Sequence, residues 1–251
     1  MLTVFAYLGE LGNTRLQLFL ATLGVEIAAV VVAFMGRLRL AAGDPARRAW
    51  TWIAVALALR LLVELRLATL YFVVVPAFIL DSPLLKNIYV LGLRYLYILS
   101  DLALLPALLA IRRDLQSTGL DFHLRPRDAL VLVLLPPLPV MVYLLQSTLA
   151  AGEVDPGIHT FRLVGASAGM LVSGACVVLA SPALQMGGGA WAWIWGAAAV
   201  AGIARGLAFG AAAMAPSFPM MLVLEQALLW TFACGWLLAT LLHLRLVTSR
   251  R

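Results

Sequence analysis

Seven stretches of the chain, at 16–36, 49–79, 84–111, 128–148, 161–182, 190–214 and 219–244, are dominated by apolar side chains and separated by short links holding Pro, Gly or charge. A bilayer has a hydrocarbon core of about 30 Å, and a helix needs about 20 apolar residues to cross it. Each stretch meets that length. No soluble fold of 251 residues could hide so much apolar surface, since 63% of the chain is hydrophobic and only 12% is charged. Soluble domains sit near half and a quarter. The expected fold is all-α: one polytopic domain over residues 1–251 with seven transmembrane helices.

The basic residues give the expected direction. Arg37, Arg39, Arg47, Arg48, Arg112, Arg113, Arg125, Arg127, Arg245, Arg250 and Arg251 fall in links on one side, and Arg15, Lys86 and Arg162 on the other. Cytoplasmic links carry the excess of Arg and Lys. The N-terminus is therefore expected outside and the C-terminus in the cytoplasm, with the plasma (cytoplasmic) membrane as the location. The opening "MLTVFAYLGELGNTRLQ" lacks a basic region and a small-residue cleavage site, so no removable signal is read there. The net charge of +6 is spread along the flanks of apolar runs, which argues against a nucleic-acid partner.

Eight ionisable residues remain inside the stretches: Arg60, Arg66, Arg94 and Arg205 against Glu26, Glu64, Asp101 and Glu225. An ionised group in hydrocarbon is costly unless it snorkels, pairs or meets water. Equal numbers of opposite sign suggest mutual neutralisation inside a bundle. Depth suggests partners. Arg60 and Asp101 both lie about 17 Å along their helices from the Arg-rich end, and Glu64 and Arg94 about one turn further. The expected rungs are Arg60–Asp101 and Glu64–Arg94, with Arg205 meeting Glu225 and Glu26 taking Arg60 or Arg205. Such a network either fixes helix register or lines a polar cavity for a ligand, ion or proton.

"LVLLPPLPVMVY" places Pro136, Pro137 and Pro139 in the middle of the fourth stretch. Each removes a backbone donor and obstructs the carbonyl four residues earlier, so the helix should break there. A broken span either is a structural kink or lines a wet site. Gly202, Gly206 and Gly210, with Gly165, Gly169 and Ser173, form small-residue stripes that allow close helix approach. Packing of the fifth stretch on the sixth is the expectation, and a homo-oligomer contact the alternative. Trp191, Trp193 and Trp195 read as an interfacial aromatic belt, and Cys176 and Cys234 as buried small side chains.

Several chemistries are missing. His123, His159 and His243 offer no pair at membrane depth for haem, and no Cys/His spacing suits zinc. No HExxH, GxSxG or phosphate-cradling glycine loop occurs. No cofactor is expected, and no catalytic or metal-binding residue is assigned. Seven spans with the N-terminus outside resemble rhodopsins and other seven-helix receptors in count and direction alone. The seventh stretch lacks the lysine that a microbial rhodopsin needs.

Three classes of function remain: two use these residues, and the third is an accessory subunit or an enzyme of lipid chemistry. A sensor or receptor-like module would take a ligand from outside, near "AGEVDPGIHTFR", and signal through a cytoplasmic or membrane protein partner, through "RRDLQSTGLDFHLRPRD". A small transporter or ion/proton pathway would use the same charges as a relay. The candidate ligand-binding or pathway residues are Glu26, Arg60, Glu64, Arg94, Asp101, Pro136, Pro137, Arg205 and Glu225. Transport requires a polar route reaching both faces, whereas sensing requires a pocket open on one side and sealed below by apolar packing.

Overall fold

A computed structural model describes residues 2–72, 93–117, 125–141, 156–185, 189–214 and 220–249. These form α1 (Leu2–Arg39), α2 (Pro45–Phe72), α3 (Leu93–Ser117), α4 (Pro126–Leu134), α5 (Pro156–Gln185), α6 (Ala190–Met214) and α7 (Met220–Thr248). No strand occurs among the described residues. The joint between the second and third stretches, Lys86, the side chain of Arg94, and parts of the expected ligand-side segment and of the expected signalling link lie outside the described residues.

Local chemistry sets several helix ends. Asp44 accepts the Ala46 N–H on its carboxylate at 2.9 Å, and Pro45 follows at the first helical position. That pairing caps α2 and starts it without wasting a donor. At α4, Pro126 holds the same position and Asp128 accepts the Arg125 N–H at 3.0 Å. The prolines end α4 as expected. The chain turns over residues 135–137, and the Leu135 carbonyl takes the Leu138 N–H at 3.2 Å.

Six helices close a ring. α1 packs on α2, α2 on α3, α3 on α5, α5 on α6, α6 on α7, and α7 returns to α1. Contacts between named residues give their directions. Glu26 meets Arg60 and Arg37 meets Thr51, so α1 and α2 are antiparallel. Gly165 faces Phe209, Gly169 faces Arg205 and Gly202 faces Ser173, so α5 and α6 are antiparallel too. Thr22 meets Gln226 and Gly36 meets His243, which makes α1 and α7 parallel. α4 stands outside the ring against α5, with none of its residues buried.

The α5–α6 seam uses the small-residue stripe. A methyl on Gly202 would lie 2.8 Å from the Ser173 Cα, and one on Gly206 would meet the Met170 side chain. Ser173 Oγ crosses to the Ala199 carbonyl at 3.1 Å, which only such close backbones permit.

Polarity is reversed relative to a soluble protein. Glu26, Arg60, Glu64, Asp101 and Arg205 are buried, while Ile27, Val31, Leu62, Leu109, Val200 and Leu238 are exposed. Water would invert that arrangement; hydrocarbon favours it. Five helices contain stretches long and apolar enough to cross a membrane: Gly12–Arg39, Tyr95–Arg113, Leu163–Ala180, Ala190–Ala212 and Met220–Thr248. This marks the chain as a membrane protein. α2, with 28 residues, has the length as well, but Arg60, Glu64 and Arg66 interrupt its apolar run.

Candidate functional site

The buried charges collect in the middle of the ring. Arg60 on α2 donates from Nε to Glu26 Oε1 on α1 at 3.0 Å, and from Nη2 to Glu64 Oε1, one turn along α2, at 3.2 Å. Arg205 on α6 donates from Nε to both oxygens of Asp101 on α3, at 2.8 and 2.9 Å. Ion pairs removed from water in this way need short, charge-assisted hydrogen bonds to offset desolvation.

Tyr97 joins the two groups. Its hydroxyl donates to Glu64 Oε1 at 2.7 Å, and its carbonyl receives Arg205 Nη2 at a long 3.5 Å. Its ring lies 4.6 Å from the Arg60 guanidinium carbon and 4.9 Å from that of Arg205. Phe232 on α7 also faces both, at 4.5 and 5.6 Å, and Phe209 faces Arg205 at 4.7 Å. The negative faces of these rings help hold two like-charged guanidiniums in one apolar interior.

Five of the expected residues therefore meet: Glu26, Arg60, Glu64, Asp101 and Arg205. Their pairing differs from the expectation in two places. Arg60 does not bond Asp101: its Nε goes to Glu26 and its Nη2 to Glu64 on its own helix. Arg205 does not bond Glu225 but Asp101. The Arg205 stem passes Gly169 of α5, 3.5 Å from where a methyl on that glycine would sit, an ordinary packing distance. Glu225, half-buried near the start of α7, takes part in other interactions. Glu26 takes Arg60, one of the two partners expected for it. Glu64–Arg94 falls outside the described side chains.

Pro136 and Pro137 do not join the cluster. Pro136 is half-buried and Pro137 exposed, following an α4 whose Val131, Leu132 and neighbouring Leu135 rest on Gly174 of α5. Tyr97, Phe232, Phe209, Thr22 and Gln226 lie beside these charges although they are not among the residues expected from the sequence. Tyr97 lies one turn before Asp101 and Thr22 one turn before Glu26, so helical spacing offered a signal for both. For Phe232, which comes from the last helix, nothing in the spacing did.

The cluster is closed on one side. Toward the Arg-rich ends, the ring helices bury mostly apolar residues: Ala33 on α1, Ile53 on α2, Leu104 on α3, Cys176 on α5, Trp195 on α6 and Trp236 on α7, with the Thr240 hydroxyl and the Trp195 and Trp236 indole N–H groups as the polar atoms among them. At its far end this layer meets Trp50, stacked on His243 with ring centroids 3.5 Å apart. In the other direction polar residues continue. Thr22 and Gln226 are buried and touch at 3.4 Å, with Arg15 and Glu225 beyond.

Two polar atoms of the cluster, Glu26 Oε2 and Arg60 Nη1, are buried without a hydrogen-bond partner. Among the described residues, no group of three His, Cys, Asp or Glu side chains is arranged to hold a metal ion. Comparison with protein-family models, curated proteins and solved structures finds no match to this chain.

Proposed function

We propose that the chain is a sensor or receptor-like module of the plasma (cytoplasmic) membrane. It spans the bilayer seven times, with its N-terminus outside and its C-terminus in the cytoplasm, and signals through a protein partner on the cytoplasmic side. The observation that carries this reading is the one-sided closure of the charged cluster. Polar side chains run from it toward the Arg-poor end, whereas a mostly apolar layer capped by Trp50 and His243 separates it from the Arg-rich end. A polar run of that form would admit a ligand from one face and withhold passage to the other.

The switching element would be Arg60. It is shared between a carboxylate on α1 and one on its own helix. A ligand that competed for either one would change how tightly α1 is held to α2. Exchange of ion-pair partners between packed helices is a two-state event of the kind that receptors use.

The alternative, an ion or proton pathway, has its own support: Glu26, Glu64, Asp101 and the Tyr97 hydroxyl lie in one connected cluster. Site-directed labelling separates the two. In a Cys176→Ser/Cys234→Ser background, Glu225→Cys, half-buried at the Arg-poor end of the polar run, should react with a membrane-impermeant maleimide from outside. Ala54→Cys, in the apolar layer, should react from neither face. Reaction of Ala54→Cys from the cytoplasmic side, together with a vesicle proton flux abolished by Asp101→Asn, would replace the sensor with the pathway.

A further inference from the structure

We propose that Glu26, Thr22 and Gln226 hold a monovalent alkali cation at the seam between α1 and α7, beside Arg60 on the side away from the apolar layer. Glu26 is 4% exposed and gives only Oε1 to Arg60, leaving Oε2 buried with no hydrogen bond. A buried carboxylate oxygen so placed is costly to leave unmet. Thr22 lies one turn earlier on the same face of α1 and is fully buried. Its hydroxyl hydrogen is committed to the Leu18 carbonyl at 2.7 Å, so its oxygen lone pairs are what it offers the interior. Gln226 reaches this oxygen from α7 at 3.4 Å. Rotating its amide presents a carbonyl oxygen to the same space.

The sign of the charge selects the ligand. Among the described residues, the buried ionisable side chains of the cluster are three carboxylates, Glu26, Glu64 and Asp101, and two guanidiniums, Arg60 and Arg205. Among these described side chains one negative charge is in excess. The unpartnered Arg60 Nη1 would suit an anion, but an anion would enlarge that excess. A monovalent cation cancels it. A divalent cation would overshoot, and its usual sites supply more carboxylate and water oxygens than one free oxygen, a hydroxyl and an amide. The inference goes beyond the sensor reading and stands without it, since a cation can be structural in a protein of any function.

The test is thermal unfolding of the purified full chain in nanodiscs, with choline chloride replaced by NaCl or KCl at constant ionic strength. The expected result is a saturable rise in melting temperature of roughly 2–6 °C. Thr22→Val leaves the Glu26–Arg60 pair in place and should raise the half-saturating concentration about tenfold or more. Glu26→Gln should melt at the same temperature in choline and in alkali chloride. Identical melting of the wild type in all three salts would overturn the proposal. So would unchanged half-saturation in both variants, or a melting temperature that follows pH but not the cation. The measurement reads neither signalling nor transport, so its failure is separable from failure of the sensor reading.

Discussion

Arg205 and Asp101, 104 residues apart in the chain, meet through a single Nε–H shared by both carboxylate oxygens, at 2.8 and 2.9 Å. Removing one partner strands the other as a buried charge, which costs about 3–5 kcal/mol. Arg205→Leu should lower stability by about that amount in detergent or nanodiscs. Arg205→Leu/Asp101→Leu should recover much of the loss, because a buried pair replaced by apolar groups is often neutral. Arg60→Leu/Asp101→Leu should be no better than Arg60→Leu, since these residues are not partners. Chemical or thermal unfolding of the four variants checks the pairing directly.

Tyr97 acts twice, through its hydroxyl and through its ring. Tyr97→Phe removes the 2.7 Å bond to Glu64 and should cost about 1–3 kcal/mol, as expected when a buried charged acceptor loses a donor. It leaves both guanidinium contacts intact. Tyr97→Leu also removes those, each worth about 0.5–2 kcal/mol, so it should be the less stable of the two. Equal melting of the two variants would show that the ring contributes nothing.

The glycines of α6 predict a graded series. A methyl on Gly202 would press on Ser173 backbone, which cannot give way, so Gly202→Ala should cost about 1–3 kcal/mol. A methyl on Gly206 would meet the flexible Met170 side chain, so Gly206→Ala should cost less. Gly210 has nothing within 4 Å of the same position. Gly210→Ala should be neutral or stabilising by up to about 1 kcal/mol, from helix propensity alone. Melting temperatures of the three single variants give the order.

Much of this architecture was legible in the sequence because apolar length is a one-dimensional property. The stretch at 190–214 coincides with α6, and those at 161–182 and 219–244 lie almost wholly within α5 and α7, each of which extends three or more residues further at one or both ends. Membership of the cluster was legible for the same kind of reason. Glu26, Arg60, Glu64, Asp101 and Arg205 are too costly to face lipid, whatever surrounds them. Their partners were not legible. Depth along a helix follows from counting residues, but the direction a side chain takes around the axis depends on which helices are neighbours. That α3 packs on α5, leaving α4 outside, is a property of the ring and not of any one stretch. The prolines show the same limit. They mark where a helix stops, and say nothing about whether the stop faces the interior.

The separation of Asp101 from Arg205 has a consequence for how the protein is made. Glu26, Arg60 and Glu64 emerge from the ribosome within a short interval and can settle together as a hairpin. Asp101 must wait for its guanidinium while 104 more residues are synthesised, roughly 5–20 s at ordinary rates of translation. During that delay the third helix cannot take its final place in lipid with its carboxylate ionised. The nascent chain must keep that carboxyl protonated, or hold the helix at the insertion machinery or in a hydrated vestibule, until the sixth helix arrives. Truncation before Arg205 should therefore yield a product that quality-control proteases remove, even though most of its membrane segments are already complete.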